Sequence, residues 1–344
     1  MLSDLLQRHW WRPRPSALAR ALQPLAALLQ GLARLDKRYR SRGAARLPVP
    51  VIVVGNLIVG GAGKTPTVIA LLRVLQQQGW RPGVVSRGYG RSGDGLVLVT
   101  RGSDARECGD EPLLIHLRSG APVAVARDRL QAAQALLAAN PAVNLLLADD
   151  GLQHWRLPRD LQVLVFDARG AGNGLTLPAG PLRQPLPERL PADTLLLYNA
   201  AAPSTALPGW LVQRRLAGAV SLAGWWAGEA ATLPALHALR ALPSLTAAAG
   251  LGQPERFFTM LEAEGLRIAR LPLADHARLD TLPWPPGTAD VVVTEKDAVK
   301  LRPEGVGATR VWVAALDFGL PPDFVHALLA RLRAAAAARA LPPS

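Results

Sequence analysis

The run from Val51 to Thr65 constrains the fold of this chain more than any other stretch. It reads Val-Ile-Val-Val-Gly-Asn-Leu-Ile-Val-Gly-Gly-Ala-Gly-Lys-Thr. An apolar, β-branched segment enters a glycine-rich loop, and the loop ends in Gly-Lys-Thr before a helical stretch, Pro66 to Gln78. Glycines let backbone N–H groups approach a polyphosphate closely, and the N-terminus of the following helix adds a favourable dipole. The expected cradle is Ile58, Val59, Gly60, Gly61, Ala62, Gly63, Lys64 and Thr65. Lys64 would reach the β/γ-phosphates, and the Thr65 hydroxyl would hold Mg²⁺. The pattern departs from G-x-x-x-x-G-K-[ST] because Ile58 stands where the first glycine belongs. Even so, a strand-loop-helix of this composition predicts binding of a nucleoside triphosphate, ATP or GTP.

Short apolar strands alternate with helical stretches along the rest of the chain. Strands are expected at 50–54, 82–86, 96–100, 123–126, 145–148, 161–167 and 194–198, with helices at 112–119 and 128–138. This alternation predicts an α/β fold: a P-loop NTPase-like, mainly parallel sheet with helices on both faces. Ligands of such sheets bind at the carboxyl ends of the strands. Composition shifts to Ala, Pro, Ser and Gly over 199–210, which reads as a linker. A second, smaller α/β domain is expected beyond it, with strands near 213–222, 244–249, 267–272, 291–294 and 309–314 and helices at 255–264 and 324–340. The expected domains are therefore 1–45, 46–200 and 201–344, and the Ala/Arg-rich stretch 334–340 is expected to fray.

Residues 1–45 form a basic, amphipathic region. Leu18, Leu22, Leu25, Leu28, Leu29 and Leu32 recur at helical spacing, flanked by Trp10, Trp11, Arg12, Arg14, Lys37, Arg38 and Arg40. No uninterrupted apolar run reaches the roughly 18–20 residues that span a bilayer. An apolar stripe bordered by Arg and Trp suits a helix lying in the membrane interface. The alternative is a helix packing its Leu stripe on its own domain, and Pro24 would kink either version. The formal charge of +13 suits an anionic partner. Motifs that read nucleic-acid bases are absent from the sequence, so no nucleic acid is expected. Lysine occurs only at 37, 64, 296 and 300, and Cys108 is the single cysteine, which rules out an intrachain disulfide and a Cys-based zinc site.

Other loops carry candidate chemistry. Asp149-Asp150-Gly151-Leu152-Gln153-His154 follows an apolar strand, the Walker B arrangement that places a carboxylate beside Mg²⁺. The two adjacent carboxylates point to different sides, so one is expected to hold metal while the other positions a water or a partner. His154 could equally cap or pack the turn. Gly109-Asp110-Glu111-Pro112 opens a helix, where acidic residues are favoured by the dipole alone. Asp275-His276 lies in the second half, and a histidine beside a carboxylate can serve as a base. Arg87, Arg91, Arg127, Arg129 and Arg183 lie on loops where a guanidinium could grip phosphate.

Read in order, these motifs resemble the tetraacyldisaccharide 4′-kinase family of lipid A biosynthesis. The carrying segments are Pro50–Leu57 with Val59–Pro66, Val85–Gly90, Gly109–Pro112, Asp149–His154, Leu177–Arg183, Ala249–Phe258, Asp275-His276 and Thr294–Leu301. The resemblance implies transfer of the ATP γ-phosphoryl group to the 4′-hydroxyl of a tetraacylated glucosamine disaccharide 1-phosphate. It also implies a peripheral or monotopic enzyme on the cytoplasmic face of the bacterial inner membrane. It maps the family's base and its carboxylate partner onto His276 and Asp110; in the mechanism expected from this, Lys64 and Asp150 are further catalytic groups and Thr65 and Asp149 hold Mg²⁺, while Arg87, Arg127 and Arg183 are expected as substrate contacts from their loop positions. Because His276 falls in the second half, the two halves are expected to close. The competing reading is a P-loop ATPase or GTPase acting as a switch or chaperone at the membrane surface. Thr294-Glu295-Lys296-Asp297 looks like the guanine-reading Asn-Lys-x-Asp, but Glu295 replaces its asparagine.

Overall fold

The structure, a computed structural model, describes residues 7–42 and 46–340. Residues 1–6 and 43–45 of the basic region, and the last four of the chain, lie outside the described residues. The chain divides into two compact units, neither contiguous. The first takes in residues up to Arg87, Asp128–Gln213 and the segment from Gly319 onward; the second comprises Gly88–Arg127 and Arg214–Phe318.

The first unit opens with α1 (Ala17–Ala21) and α2 (Gln23–Ser41). The Ser16 hydroxyl caps α1 by accepting from the Ala19 amide at 3.2 Å. Pro24 lies in the first turn of α2, where its missing N–H breaks no hydrogen bond, so the expected kink is instead a break between two helices at Leu22. The Leu stripe is not packed away: Leu28, Leu32 and Leu35 are 60%, 54% and 60% exposed, and only Ala26 of α2 is buried. No described helix is long and apolar enough to cross a membrane.

The core strand β1 (Val51–Gly55) follows, then α3 (Lys64–Gln77) and β2 (Pro82–Ser86). The chain next contributes β3 (Val97–Val99), α4 (Ala105–Cys108), α5 (Asp110–Ser119) and β4 (Val123–Val125) to the second unit. It returns to the first with α6 (Arg129–Ala139), β5 (Leu145–Asp149), β6 (Leu161–Asp167), β7 (Thr194–Asn199) and the short β8 (Trp210–Leu211). The second unit resumes with β9 (Gln213–Ser221), α7 (Leu222–Ala227), α8 (Leu233–Ala238), β10 (Thr246–Ala249) and α9 (Pro254–Ala263). Then come β11 (Ala269–Pro272), β12 (Asp290–Thr294), α10 (Glu295–Ala298) and β13 (Arg310–Gly319); α11 (Pro322–Ala340) closes the chain in the first unit.

In the first unit β2, β5, β1, β6, β7 and β8 pair in that order, all parallel. Every residue of β1, β2, β5 and β7 is buried. Successive strand side chains point to opposite faces, so unbroken burial means the sheet is covered on both. Val68, Leu71, Leu72 and Leu75 of α3 and Leu130 and Leu136 of α6 supply part of that cover. The second unit holds a sheet of order β11-β10-β12-β13-β9, in which β11, β10, β12 and β13 run parallel, together with an antiparallel β3–β4 pair. Phe257, Phe258 and Leu261 of α9 pack with Leu236 and Val292 in its core.

The mainly parallel α/β architecture agrees with the sequence pattern, but the units are cut differently from the expected domains. Residues 88–127, assigned by order to the nucleotide-binding core, belong to the second unit, and α11 belongs to the first. The supposed linker at 199–210 is part of the first unit: the Tyr198 hydroxyl donates to the Leu207 carbonyl at 2.7 Å. The Ala/Arg-rich tail remains helical rather than frayed, because the Arg339 guanidinium grips Asp160 at 2.9 and 2.7 Å. Helices α4, α7, α8 and α10 escaped the sequence reading because four to six residues are too few to show a 3.6-residue period.

Candidate active site

The glycine-rich loop leaves the carboxyl end of β1, where a parallel sheet collects its ligands. Its base is pinned by the segment that follows β6. The Val59 amide donates to the Pro181 carbonyl at 3.0 Å, and the Arg183 amide donates to the Leu57 carbonyl at 2.7 Å. Asn56, fully buried, donates its amide to the Gly60 carbonyl at 2.9 Å. On the far side the Asn199 amide donates to the Ala62 carbonyl at 3.1 Å, and the Arg169 guanidinium donates to the Gly61 carbonyl at 3.0 Å. Gly63 enters α3 in the left-handed region, φ +94°, and a Cβ there would run into Asn199 Nδ2. With these carbonyls tied back, the loop is set up to turn its N–H groups toward an anion.

Lys64 begins α3. Its ammonium lies 3.4 Å from Asn56 Oδ1 and 3.6 Å from Asp150 Oδ2. The two carboxylates at the tip of β5 have distinct surroundings, as their adjacency on one strand predicts. Asp149 is buried and accepts from the Ser86 hydroxyl at 3.4 Å. Asp150 sits in a turn with φ +46°, a region that suits few residues other than glycine. Arg183 donates to Asp150 at 3.2 Å. Burial works to raise the Asp150 carboxyl, but the charges of Lys64, Arg183 and Arg129 outweigh it and hold it below its ordinary value. Such non-glycine left-handed residues cluster at functional sites.

Thr65 and Asp149, expected as metal ligands, are both buried oxygen-bearing residues of this unit. A hydroxyl and a carboxylate with no soft ligand beside them fit Mg²⁺, which takes few protein oxygens and fills its shell with phosphate oxygens and water. His154 turns inward to pack: its Nε2 lies 3.2 Å from Asp128 Oδ1, while burial and the Arg129 charge push it down to about 4. Arg129, buried at the start of α6, donates to the Asp150 carbonyl at 2.8 Å and so braces the carboxylate turn. Among the three arginines expected at the substrate, Arg183 is built into this cluster, whereas Arg87 and Arg127 are exposed at the ends of their strands.

The second unit holds the other expected pair, and here order in the chain misled. Asp110 and His276, separated by 166 positions, meet within one unit, with His276 Nδ1 at 3.1 Å from Asp110 Oδ2. Gly109, at φ +95°, starts α5 so that Asp110 heads the helix, and Asp110 Oδ1 accepts from the Glu111 amide at 2.9 Å. His276 lies in the loop after β11, itself in the left-handed region at φ +57°. Lys296 follows β12, and its ammonium lies 3.2 Å from His276 Nε2, 3.0 Å from Asp275 and 3.5 Å from Glu111. Lys300 adds a second ammonium 3.7 Å from Asp110. Burial opposes the Asp110 charge, but the hydrogen bond from His276 and the Lys296 charge keep its carboxyl below the ordinary range. The same hydrogen bond raises His276 above its ordinary value against burial and the Lys296 charge.

Beside this pair opens a cavity of ≈ 460 Å³, lined among others by Tyr89, Asp110, His276, Arg278, Lys300 and Arg302. Its size suits a small polar ligand, and its walls carry several cations. The Tyr89 ring stands 5.1 Å from the His276 ring.

Sequence reasoning missed Asn56, Arg169 and Asn199 around the loop, and Lys296 and Lys300 around the histidine. The resemblance of Thr294–Asp297 to a guanine-reading motif drew attention away from Lys296. In the fold, Thr294 caps α10, buried Asp297 accepts from the Thr294 hydroxyl at 2.7 Å and the Gly250 amide at 2.9 Å, and Glu295 pairs with Arg118. One signal was available: arginine supplies nearly all the positive charge, yet three of the chain's four lysines fall in these two clusters. A compact ammonium differs from a planar guanidinium, so lysine in an arginine-rich chain marks a specific need.

The chain matches known proteins along most of its length. The family described as LpxK, tetraacyldisaccharide-1-P 4′-kinase, matches residues 18–333. A tetraacyldisaccharide 4′-kinase of Methylibium petroleiphilum is 55% identical over 95% of this chain and 93% of its own length. One of Leptothrix cholodnii is 52% identical over 97% of each. The crystal structure of LpxK from Aquifex aeolicus in complex with ATP superposes with a TM-score of 0.74 at 25% identity, covering 92% of this chain and 99% of that one.

Proposed function

Because the chain belongs to the tetraacyldisaccharide 4′-kinase family, we infer that it transfers the γ-phosphoryl group of ATP to the 4′-hydroxyl of a tetraacylated glucosamine disaccharide 1-phosphate, a step of lipid A assembly. What supports the residue-level reading is chiefly the half-buried His276 hydrogen-bonded to buried Asp110 beside a cavity with cationic walls. Of the backbone amides at 59–64, that of Val59 is committed to Pro181, so those of residues 60–64, with the Lys64 ammonium, bind the triphosphate. Thr65 and Asp149 would hold Mg²⁺, which neutralises charge on the β- and γ-phosphate oxygens when bound. Asp150 and Arg183 keep the Lys64 ammonium oriented.

On the acceptor side, the glucosamine headgroup enters the cavity with its hydroxyl against His276. Asp110 holds the imidazole through Nδ1 and stabilises the positive charge that forms when Nε2 takes the hydroxyl proton. The sugar oxygen bonds to the γ-phosphorus, the bond from phosphorus to the β,γ-bridging oxygen breaks, and ADP leaves. Tyr89, Arg278 and Lys300 line the headgroup site, while Arg87 and Arg127 supply further anion contacts.

The acyl chains stay in the bilayer, so the enzyme must work at its surface. The exposed leucines of α2, bordered by Arg34, Lys37, Arg38 and Arg40, suit insertion into the interface beside anionic headgroups. ATP is supplied on the cytoplasmic side, which places the enzyme on that face of the inner membrane. The test is transfer of radiolabel from [γ-³²P]ATP to the lipid acceptor in detergent micelles. His276→Ala should lower kcat by about 100-fold or more with ATP affinity unchanged. Wild-type kcat in that variant would remove His276 from the reaction.

A further inference from the structure

The Lys296 ammonium is held by acidic groups from two directions, 3.0 Å from Asp275 on the histidine's own loop and 3.5 Å from Glu111 on α5, with Asp110 at 4.0 Å. Although burial opposes its charge, these three carboxylates keep Lys296 protonated, above its ordinary value. An ammonium has three donors and no lone pair. Its contact of 3.2 Å with His276 Nε2 therefore requires Nε2 to accept, which leaves the ring proton on Nδ1, facing Asp110 Oδ2 at 3.1 Å. We propose that Lys296 is a positioning residue for His276: by donating to Nε2 it holds the imidazole as the neutral, Nδ1–H tautomer, aimed as a proton acceptor. The proposal rests on His276 being the base of the reaction described above.

The consequence is a division of labour around one ring. Asp110 alone would favour the imidazolium, a form that has no lone pair to take a proton. Lys296 opposes that charge from the other ring edge, at the atom where the substrate hydroxyl must arrive. When the hydroxyl displaces the ammonium from Nε2, Lys296 keeps its Asp275 and Glu111 partners, so it gives up one contact and stays seated. Among the described residues the ring's other neighbours are Asp275, whose Oδ1 lies 3.8 Å from Nε2 and is itself paired with the Lys296 ammonium, Tyr89, whose ring stands 5.1 Å away, and Lys300, which reaches Asp110 at 3.7 Å rather than the imidazole itself. Lys296 is thus the cation that bears directly on Nε2.

The test is an NMR titration of the His276 ring in the full-length protein, alongside the pH dependence of kcat/KM. Lys296→Met removes charge and donor; Lys296→Gln removes the charge and keeps a donor, and covers the case in which the first variant fails to fold. In either, the His276 midpoint should move up by about one pH unit, and the acidic limb of kcat/KM should move with it. Lys296→Arg should leave the midpoint close to wild type. A midpoint that stays in place or falls in both neutral variants overturns the proposal. A midpoint that rises in protein whose His276→Ala variant retains full kcat supports the Lys296 contact and overturns only the assignment of His276 as base.

Discussion

Replacing Asp110 by asparagine removes one charge and almost no volume, and the hydrogen-bond geometry dictates the outcome. In the native site Asp110 Oδ1 accepts from the Glu111 amide at 2.9 Å and Oδ2 accepts from His276 Nδ1 at 3.1 Å. Asparagine has one acceptor oxygen, so its NH₂ must face one of those two donors. Turning the imidazole over to its other tautomer does not help, because Nε2–H would then point at the Lys296 ammonium 3.2 Å away. Each arrangement leaves a part-buried donor without its native acceptor, at a cost of about 1 kcal/mol, the low end for such groups. Loss of the charge also strands Lys300 and Lys296, which lie 3.7 and 4.0 Å from the carboxylate. Breaking a buried ion pair costs about 3–5 kcal/mol, and the low end, about 3 kcal/mol, applies here because the lysines keep other carboxylate partners.

Catalysis should suffer by a comparable amount. A positioned base contributes about 10²–10⁴ in rate, and a disordered tautomer forfeits the lower part of that range. We expect kcat for phosphoryl transfer in micelles to fall about 10²–10³-fold, or about 3–4 kcal/mol at 1.36 kcal/mol per tenfold. ATP affinity by calorimetry should not change, since the triphosphate loop lies in the other unit. The acidic limb of kcat/KM should move to lower pH, because the carboxylate that raises His276 is gone. Stability carries the same signature. His276, raised in the fold, stabilises below its ordinary 6.5 and loses that contribution as pH rises through its folded value. Asp110, lowered in the fold, stabilises above its ordinary 3.8 and loses it as pH falls through its folded value. Wild-type stability relative to Asp110→Asn should therefore be greatest between about pH 4 and 6.5. A folded Asp110→Asn enzyme with kcat within about threefold of wild type would refute the reasoning, as would a parallel loss of ATP affinity.

Two other perturbations test the remaining parts. Gly63→Ala forces a side chain into left-handed backbone, roughly 1–2 kcal/mol, and displaces Asn199 from the Ala62 carbonyl, roughly 1 kcal/mol more. ATP affinity by calorimetry should drop about tenfold or more, and an unchanged affinity would mean the loop geometry is not what grips the nucleotide. Leu28→Glu with Leu32→Glu alters two largely exposed residues, so the fold should persist while flotation with anionic vesicles weakens roughly 30-fold or more. Full vesicle binding by the double variant would remove α2 from the membrane contact.

The local code made much of this protein legible. Residues 51–65 specify strand, loop and helix through side-chain stiffness, glycine freedom and dipole, all of which act within a few positions. The fully apolar strands announce a parallel sheet because both their faces are covered. The place of Asp149 and Asp150 at a strand tip follows from the apolar run that they close. Tertiary structure alone decided what crosses long stretches of chain. Asp110 lies next to His276 because residues 88–127 fold into the second unit, a choice made by packing that no periodicity records. Asn199 and Arg169 in the first unit, and Lys296 in the second, join their separate clusters only when strand ends converge within each unit, since a parallel sheet gathers its carboxyl ends from distant parts of the sequence. Whether the leucines of α2 would be buried or left bare was undecided in the helical pattern, which is the same in both cases; the fold left them bare.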